Sequence, residues 1–441
     1  MALDAWHGLP PPVRTRLRPT VRRVRAVSAA VATPQRRMRP HAAAATPARI
    51  AASRPARSPV EATVSVVIPT LDAGPQFTRV LAAVIAQEGL RDLEVVVADS
   101  GSSDGTREVA RAAGAIVLDV APDAFGHGRT RNVAAERGQG EVVLLLVQDA
   151  ILLGSSAIVT LVAALDGDRG LAAVTARHVP RTDADLYGAF VVFAHERALA
   201  APRSRAEVVR ARAGVDSVCT AVRRAAWEEL RFADVPFAED LDFGVRAIER
   251  GWRVRRSPDV AVAHSHTRDP GYHFRRSVAD RLHVAPLVGD DARTRSGRSG
   301  LVATRVAALR VAAMLEAATA GLPDRAPLAD HVERASAGLR RGAAGHAVPN
   351  ADLAGIAALL GEDAAPDADR ARVLAHLLDD LAGALSSDVV EAFARAHPSV
   401  SAAAARAFTV RLGAAVLGRA VGDALRGTRD DALVTTLLRG V

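Results

Sequence analysis

Lysine is absent: all 57 basic residues of this 441-residue chain are arginine. Together with the alanine bias this points to coding from a GC-rich genome, so the choice of arginine carries no functional message. Cysteine is reduced to Cys219 alone, which excludes a disulfide framework and a cysteine-based metal cluster and fits a reducing compartment. An unbroken apolar run of membrane-spanning length is also missing. Leu301–Gly321 is interrupted by Arg305, Arg310 and Glu316 and reads as a soluble helix. The stretch AVSAAVAT at 26–33 is too short and too far into the chain for a signal peptide. A cytoplasmic protein is expected.

A basic catalytic body is lacking too. The net charge is +8, but residues 1–60 hold twelve arginines and one acid, Asp4, so the remainder sums to −3. Nucleic-acid binding is not implied.

What is present falls into three parts. Residues 1–60 are rich in Arg, Pro and Ala and read as a disordered arm. Val13, Leu17, Val21 and Val24 have rough helical spacing among arginines, which suits peripheral contact with an anionic membrane face at the inner side of the cell membrane. Pro19 interrupts that stretch, and a solvated tail is the plainer reading.

From Val64 the pattern alternates. Strands are predicted at Val64–Ile68, Glu94–Ala98, Ala115–Val120 and Val142–Val147, with helices over Pro75–Gln87, Asp104–Ala113 and Arg129–Arg137. This order predicts an α/β, doubly wound, mostly parallel sheet covered on both faces. A strand is expected near Leu171–Ala176, helices around Trp227 and Phe243–Arg250, and a strand at Arg253–Arg256. Beyond about residue 290 the chain turns alanine- and leucine-rich, with breaks at Pro323, Pro349, Pro366 and Pro398. The expected domains are thus the arm 1–60, an α/β domain 61–290 and an all-helical region 291–441.

Ligands of open α/β sheets bind outside the strands' carboxyl ends. Pro69, Thr70, Leu71 and Asp72 follow strand one, Asp99 strand two and Asp149 strand four. If those strands are neighbours, the groups converge. Asp99 can accept from a pyrimidine N–H, and Ser100–Ser103, Ser102 included, lets backbone approach a ligand. The simplest role for Asp104 is a helix cap.

Asp149 ends a very apolar strand, where a carboxylate is costly unless it is paired or binds a cation. Mg²⁺ or Mn²⁺ bridging a diphosphate would supply one. His264 and His266 are the second candidate ligand group, and alternation on an extended segment means one of them suffices. Glu239 and Asp240 open a helix, where the dipole favours acids. Asp240 is the candidate general base, with Glu239 on the acceptor side. Arg129, Arg131 and Asn132 after His127, and Arg275 and Arg276 further on, suit a diphosphate clamp, with a solvated face as the alternative for each arginine.

Residues 64–290 resemble family 2 glycosyltransferases of the GT-A fold. VSVVIPTLDAG (64–74) is similar to the family's first strand and nucleotide loop, VVVADSGSSDGT (95–106) to its base- and ribose-contacting segment, GRTRN to its ARN loop, FAEDLDFGVRAIERGW (237–252) to its acidic acceptor motif and HSH to its late metal-site histidine. The resemblance implies a nucleotide site at Thr70, Asp72, Asp99 and Asp104 and a base at Asp240. Asp72 stands where asparagine is common. The usual Asp-x-Asp metal motif is here Val147-Gln148-Asp149, a QDA form that looks like the rhamnosyltransferase-like branch, as does ARHVPRTDADLYGAF (176–190). That branch implies dTDP-L-rhamnose as donor, with Gln148 beside the sugar diphosphate. Cys219 departs from an expected asparagine.

The expectation is an inverting, metal-dependent glycosyltransferase with a nucleotide-sugar donor and a glycan or lipid-linked acceptor in cell-envelope or polysaccharide synthesis. Two alternatives stand against it. A nucleotidyltransferase needs a basic glycine-rich loop after strand one, which LDAGPQF does not offer. A catalytically degenerate scaffold or partner-binding protein would explain the lost first metal acid, but Asp99, Asp149, Glu239, Asp240 and HSH are all retained.

Overall fold

A computed structural model describes residues 60–290, 298–342, 367–426 and 431–438. The arm expected over residues 1–60, save Val60, and the breaks at Pro349 and Pro366 lie outside them. The chain divides into two compact units. Among the described residues one holds 60–179 and 198–264, and the other holds 180–197 and those from Ser265 onward.

In the first unit β1 (Val60–Thr70), α1 (Phe77–Ile85), β2 (Leu90–Asp99), α2 (Thr106–Ala112), β3 (Ile116–Asp119), α3 (His127–Arg137) and β4 (Val142–Leu146) alternate as the sequence pattern predicts. Then come β5 (Ile151–Leu152), α4 (Ala157–Asp166), β6 (Leu171–Val179), α6 (Arg205–Ala213), β7 (Cys219–Arg223), α7 (Arg224–Leu230), α8 (Glu239–Glu249) and β8 (Arg253–Ala263); α5 (Leu186–Ala200), between β6 and α6 in the chain, belongs to the second unit up to Arg197. The strands form one sheet in the order β3-β2-β1-β4-β7-β6-β8-β5.

The β1–β4 region is buried on both faces. Val66, Ile68, Val142, Leu144 and Leu146 join one apolar core, while Val67, Val143 and Leu145 join another. Successive strand residues point to opposite faces, which is why these strands read as unbroken apolar runs. Helix α1 covers one face with Phe77, Val80, Leu81 and Val84, spaced as one helical stripe. Each large side chain so buried contributes about 1.5–3 kcal/mol.

The sheet is mixed where the sequence pattern predicts no strand. β7 runs antiparallel to both β4 and β6, with Leu146 opposite Cys219 and Thr175 opposite Thr220. β6 and β8 are parallel, with Val179 opposite Ala263. Antiparallel insertion reverses which end of β7 reaches the ligand edge. The carboxyl ends of β1, β2, β4, β6 and β8 therefore share that edge with the amino end of β7. Cys219 starts β7 fully buried, and burial pushes its thiol up to about 12, so it is an inert core residue.

The second unit is helical: α9 (Pro270–Ala279), α10 (Arg298–Ala320), α11 (Leu328–Gly342), α12 (Asp367–Leu385), α13 (Asp388–Arg395), α14 (Ala402–Arg426) and α15 (Asp431–Leu438). The alanine-rich composition begins near residue 290, but this unit already begins at Ser265 and also takes in Pro180–Arg197. Tyr187 and Phe190 of α5 join its core with Phe274, Phe393 and Phe408. The Phe190, Phe393 and Phe408 rings lie 5.2–6.0 Å apart, a spacing at which aromatic pairs attract. No helix among the described residues is long and apolar enough to cross a membrane.

Helix α14 meets α9 and the residues just after it through two glycines. A Cβ on Gly418 would lie 2.1 Å from the Phe274 carbonyl oxygen, and one on Gly422 would lie 2.7 Å from Arg281 Cβ. We expect Gly418→Ala to destabilise this unit by about 1–3 kcal/mol through overpacking, seen as a lower midpoint in thermal unfolding. Retention of the wild-type midpoint would mean that the helices can separate without loss.

Candidate active site

Two loops meet at the ends of β1 and β2. The parallel register places Thr70 opposite Asp99, and Thr70 Oγ1 donates to Asp99 Oδ2 at 2.9 Å. The Gly101 and Ser102 amides donate to Oδ1 at 3.2 and 3.0 Å, and the Ser102 hydroxyl donates to Oδ2. A carboxylate has about four lone-pair sites, and four donors fill them. Asp99 is 1% exposed. The acid that the sequence suggested for a base N–H is turned inward and holds its own loop.

The lacing continues outward. Asp72 N donates to Ser102 Oγ at 2.8 Å and Ser103 N to Asp72 Oδ1 at 2.8 Å. Ala73 N donates to Thr106 Oγ1 at 2.9 Å and Gly74 N to Asp104 Oδ2 at 2.8 Å. Asp72 has φ 41°, a left-handed conformation that short polar side chains tolerate. Asp104 Oδ1 accepts from Thr106 N at 3.0 Å and Thr106 Oγ1 at 2.6 Å, which turns the chain into α2. Pro69 sits inside β1 opposite Ala98. Gln148 clamps the peptide of Leu71, accepting from its N at 2.9 Å and donating to its O at 3.1 Å. Leu71 itself is 54% exposed.

After β4 and β8 come Asp149 and His264. Asp149 Oδ1 lies 3.5 Å from His264 Nε2, and His264 is anchored by its own amide on Val179 O at 2.9 Å. A carboxylate oxygen and an imidazole nitrogen at this separation fit a shared Mg²⁺ or Mn²⁺. His266 lies two residues on, at the start of the second unit. Beside His264 stands a residue that the sequence did not single out. The His178 ring meets the His264 ring edge-on at 5.8 Å, and His178 Nε2 lies 3.5 Å from Asp216 Oδ2. His178 is the last residue but one of β6 and Asp216 precedes β7, so sheet order brings them together.

The adjacent acids opening α8 have different partners. Glu239 is buried and paired with Arg131 of α3, their side chains 6% and 5% exposed. Arg131 also donates to His127 O at 3.2 Å. Neither side chain faces open solvent, unlike the acceptor contact and diphosphate clamp that the sequence suggested for them. Asp240 is half-buried. Its Oδ2 accepts from Ser217 N at 3.0 Å and Ser217 Oγ at 2.8 Å, and its Oδ1 accepts from Leu241 N at 2.8 Å. Asn132 commits its amide to Phe232 O, Phe232 N and Trp227 Nε1 at 2.8–3.1 Å, tying α3 to α7. Arg129 is exposed and pairs with Asp234 at 2.8 Å. Arg276, in the second unit, is exposed and 3.6 Å from Asp280.

The family described as "Glycosyltransferase like family 2" matches residues 61–280. The O-antigen chain rhamnosyltransferase RfbN of Salmonella typhimurium is 32% identical over 222 residues, which cover 48% of this chain and 69% of that protein. The O-antigen chain rhamnosyltransferase WbaN of Salmonella anatum is 26% identical over 218 residues, covering 48% and 69%. A solved mannosyltransferase of Pyrobaculum calidifontis, in complex with GDP-Man and Mn²⁺, is 17% identical with a TM-score of 0.46, over 95% of this chain and 99% of that one. The chain belongs to glycosyltransferase family 2. It is therefore a glycosyltransferase, an enzyme that transfers a sugar.

Two outcomes are expected here. Arg131→Met leaves a buried carboxylate alone and should cost about 3–5 kcal/mol in chemical unfolding; Glu239→Gln in the same chain should recover part of that loss. A singly substituted protein of wild-type stability would show the pair to be dispensable. Second, the Thr106 hydroxyl, then the backbone amides of Gly74 and Thr106, hold the Asp104 carboxyl below its ordinary value of 3.8. A depressed folded value contributes stability above the unfolded one, and that contribution is lost as pH falls below 3.8 through the folded value. In Thr106→Val, the Asp104 carboxyl should titrate at higher pH by NMR; an unmoved titration would remove Thr106 as the cause.

Proposed function

We propose that the enzyme is an inverting rhamnosyltransferase, moving L-rhamnose from dTDP-L-rhamnose to a hydroxyl of a glycan or lipid-linked acceptor in cell-envelope polysaccharide synthesis. The sequence relationship to the O-antigen rhamnosyltransferase, over the half of the chain that bears the site, carries the choice of sugar. The mechanism rests on one geometric contrast: among the described residues Asp240 keeps only neutral partners, at the same sheet edge as Asp149 and His264.

The nucleotide lies over the laced loops after β1 and β2. With Asp99 turned inward, the exposed groups there include Leu71, Asp72, Gly101, Ser103 and Asp104. The pair of Arg129 with Asp234 is a surface pair, worth about 0–1 kcal/mol, so Arg129 can leave it for a diphosphate oxygen. Asp149 and His264, with His266 two residues on, would hold Mg²⁺ or Mn²⁺, which when bound neutralises charge on the leaving diphosphate. Asp240 takes the acceptor hydroxyl proton as that oxygen attacks the anomeric carbon. The new C–O bond forms as the bond to phosphate breaks on the opposite face, so the configuration inverts. The electron pair leaves with the nucleoside diphosphate, and the proton rests on Asp240. Contact of the basic arm with an anionic membrane would bring a lipid-linked acceptor within reach.

The test is release of nucleoside diphosphate from dTDP-L-rhamnose, UDP-glucose and GDP-mannose, each with Mn²⁺, Mg²⁺ or chelator. Release from dTDP-L-rhamnose with metal only is expected. Asp240→Asn should slow it by about 10²–10⁴-fold, and Asp149→Ala should abolish the response to metal. Turnover of another donor in place of dTDP-L-rhamnose would overturn the sugar assignment. Undiminished turnover by Asp240→Asn would overturn the base assignment.

A further inference from the structure

Three acids crowd the first turn of α8, and each is held differently. Glu239 pairs with Arg131 and Asp242 with Arg246, the latter at 2.7 Å. Asp240, between them, has no basic partner among the described residues. It is bound on one oxygen by one residue, through both amide and hydroxyl: Ser217. We propose that Ser217 is a positioning residue for the transfer reaction, fixing the Asp240 carboxylate for proton abstraction. The inference rests on the reading of Asp240 as the base.

Four observations converge. Ser217 is itself buried, 9% exposed, so its hydroxyl does not exchange freely with bulk water. It stands two residues before β7, whose antiparallel pairing with β4 seats it at the ligand edge; Val147 N donates to Val218 O at 3.4 Å there. The neighbouring Asp216 side chain accepts from Val218 N at 3.0 Å, which stiffens the turn that carries Ser217. On the other side, Ala238 enters α8 with φ 64° and ψ 32°. Left-handed backbone at a non-glycine residue costs about 1–3 kcal/mol and persists only where its surroundings enforce it. The buried pair of Glu239 with Arg131 comes immediately after. The backbone is thus fixed ahead of Asp240 and the carboxylate is fixed across from it.

The two Ser217 bonds converge on Oδ2. They set the rotation of the carboxylate plane and leave Oδ1, which among the described residues bears only the amide of Leu241, as the oxygen for an acceptor proton. A neutral clamp suits a base better than an arginine would: it orients the group without adding a cation that holds on to its negative charge. It also separates Asp240 from Glu239, which an arginine has claimed. Two adjacent acids thereby take separate duties.

The experiment compares Ser217→Ala, Ser217→Thr, Asp240→Asn and the double Ser217→Ala/Asp240→Asn in hydrolysis of dTDP-L-rhamnose with Mn²⁺, alongside crystal structures of the two Ser217 variants. Misplacing a reacting group by about 1 Å costs up to about a hundredfold in rate. Ser217→Ala should therefore lower kcat by about ten- to a hundredfold with the donor KM nearly unchanged. Ser217→Thr, which keeps the hydroxyl, should recover most of it. The double variant should be no slower than Asp240→Asn, because Ser217 acts through Asp240. In the crystals the Asp240 carboxylate should turn in Ser217→Ala and stay in Ser217→Thr. An unmoved carboxylate in Ser217→Ala overturns the proposal whatever the turnover, as does a further loss in the double variant. Wild-type turnover in Ser217→Ala with an inactive Asp240→Asn overturns the positioning role alone. Wild-type turnover in Asp240→Asn overturns the base reading, and the positioning role with it.

Discussion

The ligand edge of the first unit is organised around one buried carboxylate. Asp99 sits at the end of β2, opposite the last residue of β1, and takes four hydrogen bonds from Thr70, Gly101 and Ser102. Removing a carboxylate from water is tolerated only when its lone pairs are matched this fully. That requirement ties the two strand ends together and passes the constraint outward. Ser102 bonds onward to Asp72, and the bonds of Ala73 and Gly74 to Thr106 and Asp104 close the second loop. The loops are thus held before any ligand arrives, which spares the binding step the cost of ordering them.

The parallel half of the sheet was legible because burial on both faces leaves no alternation to misread. VSVVI and VVLLL have only one comfortable place, a central strand under helices on both sides. The loops after them were legible because acids beside glycine and serine at strand ends have few other uses. β7 was not legible. CTAVR is five residues long, mixes small and polar side chains, and runs directly into α7. Its direction comes from pairing with β4 and β6, which no local pattern records. With it went Asp216, Ser217 and the place of His178, since each reaches the ligand edge only through that antiparallel strand.

Partners were harder to read than residue types. Glu239 and Asp240 are neighbours with the same charge, and a sequence treats them nearly alike. Their difference comes from Arg131, 108 positions away, and from Ser217, 23 positions away. Asn132 was expected in a diphosphate clamp from its place after His127, and its amide meets the backbone of Phe232 and the indole of Trp227. Gln148 similarly braces Leu71. Polar groups around a binding cleft divide into those that meet a ligand and those that hold the walls, and the second set depends on contacts distant in sequence. The helical unit shows the same limit: its compositional onset trails its structural one because α9, with tyrosine, histidine, phenylalanine and arginine, lacks the alanine bias of the later helices.

Tyr187 and Phe190, borrowed from between two strands of the sheet unit, have a consequence for synthesis on the ribosome. Their aromatic neighbour Phe408 lies more than two hundred residues downstream. At about 5–20 residues per second, the stretch carrying them waits roughly 10–40 s for the rest of its core. During that interval the nascent chain is complete through β8, while α5 still lacks the Phe393 and Phe408 rings that cover it. Until then the helix is held only in a provisional place. Emergence of Phe393 and Phe408 is then the point at which this helix gains its lasting cover.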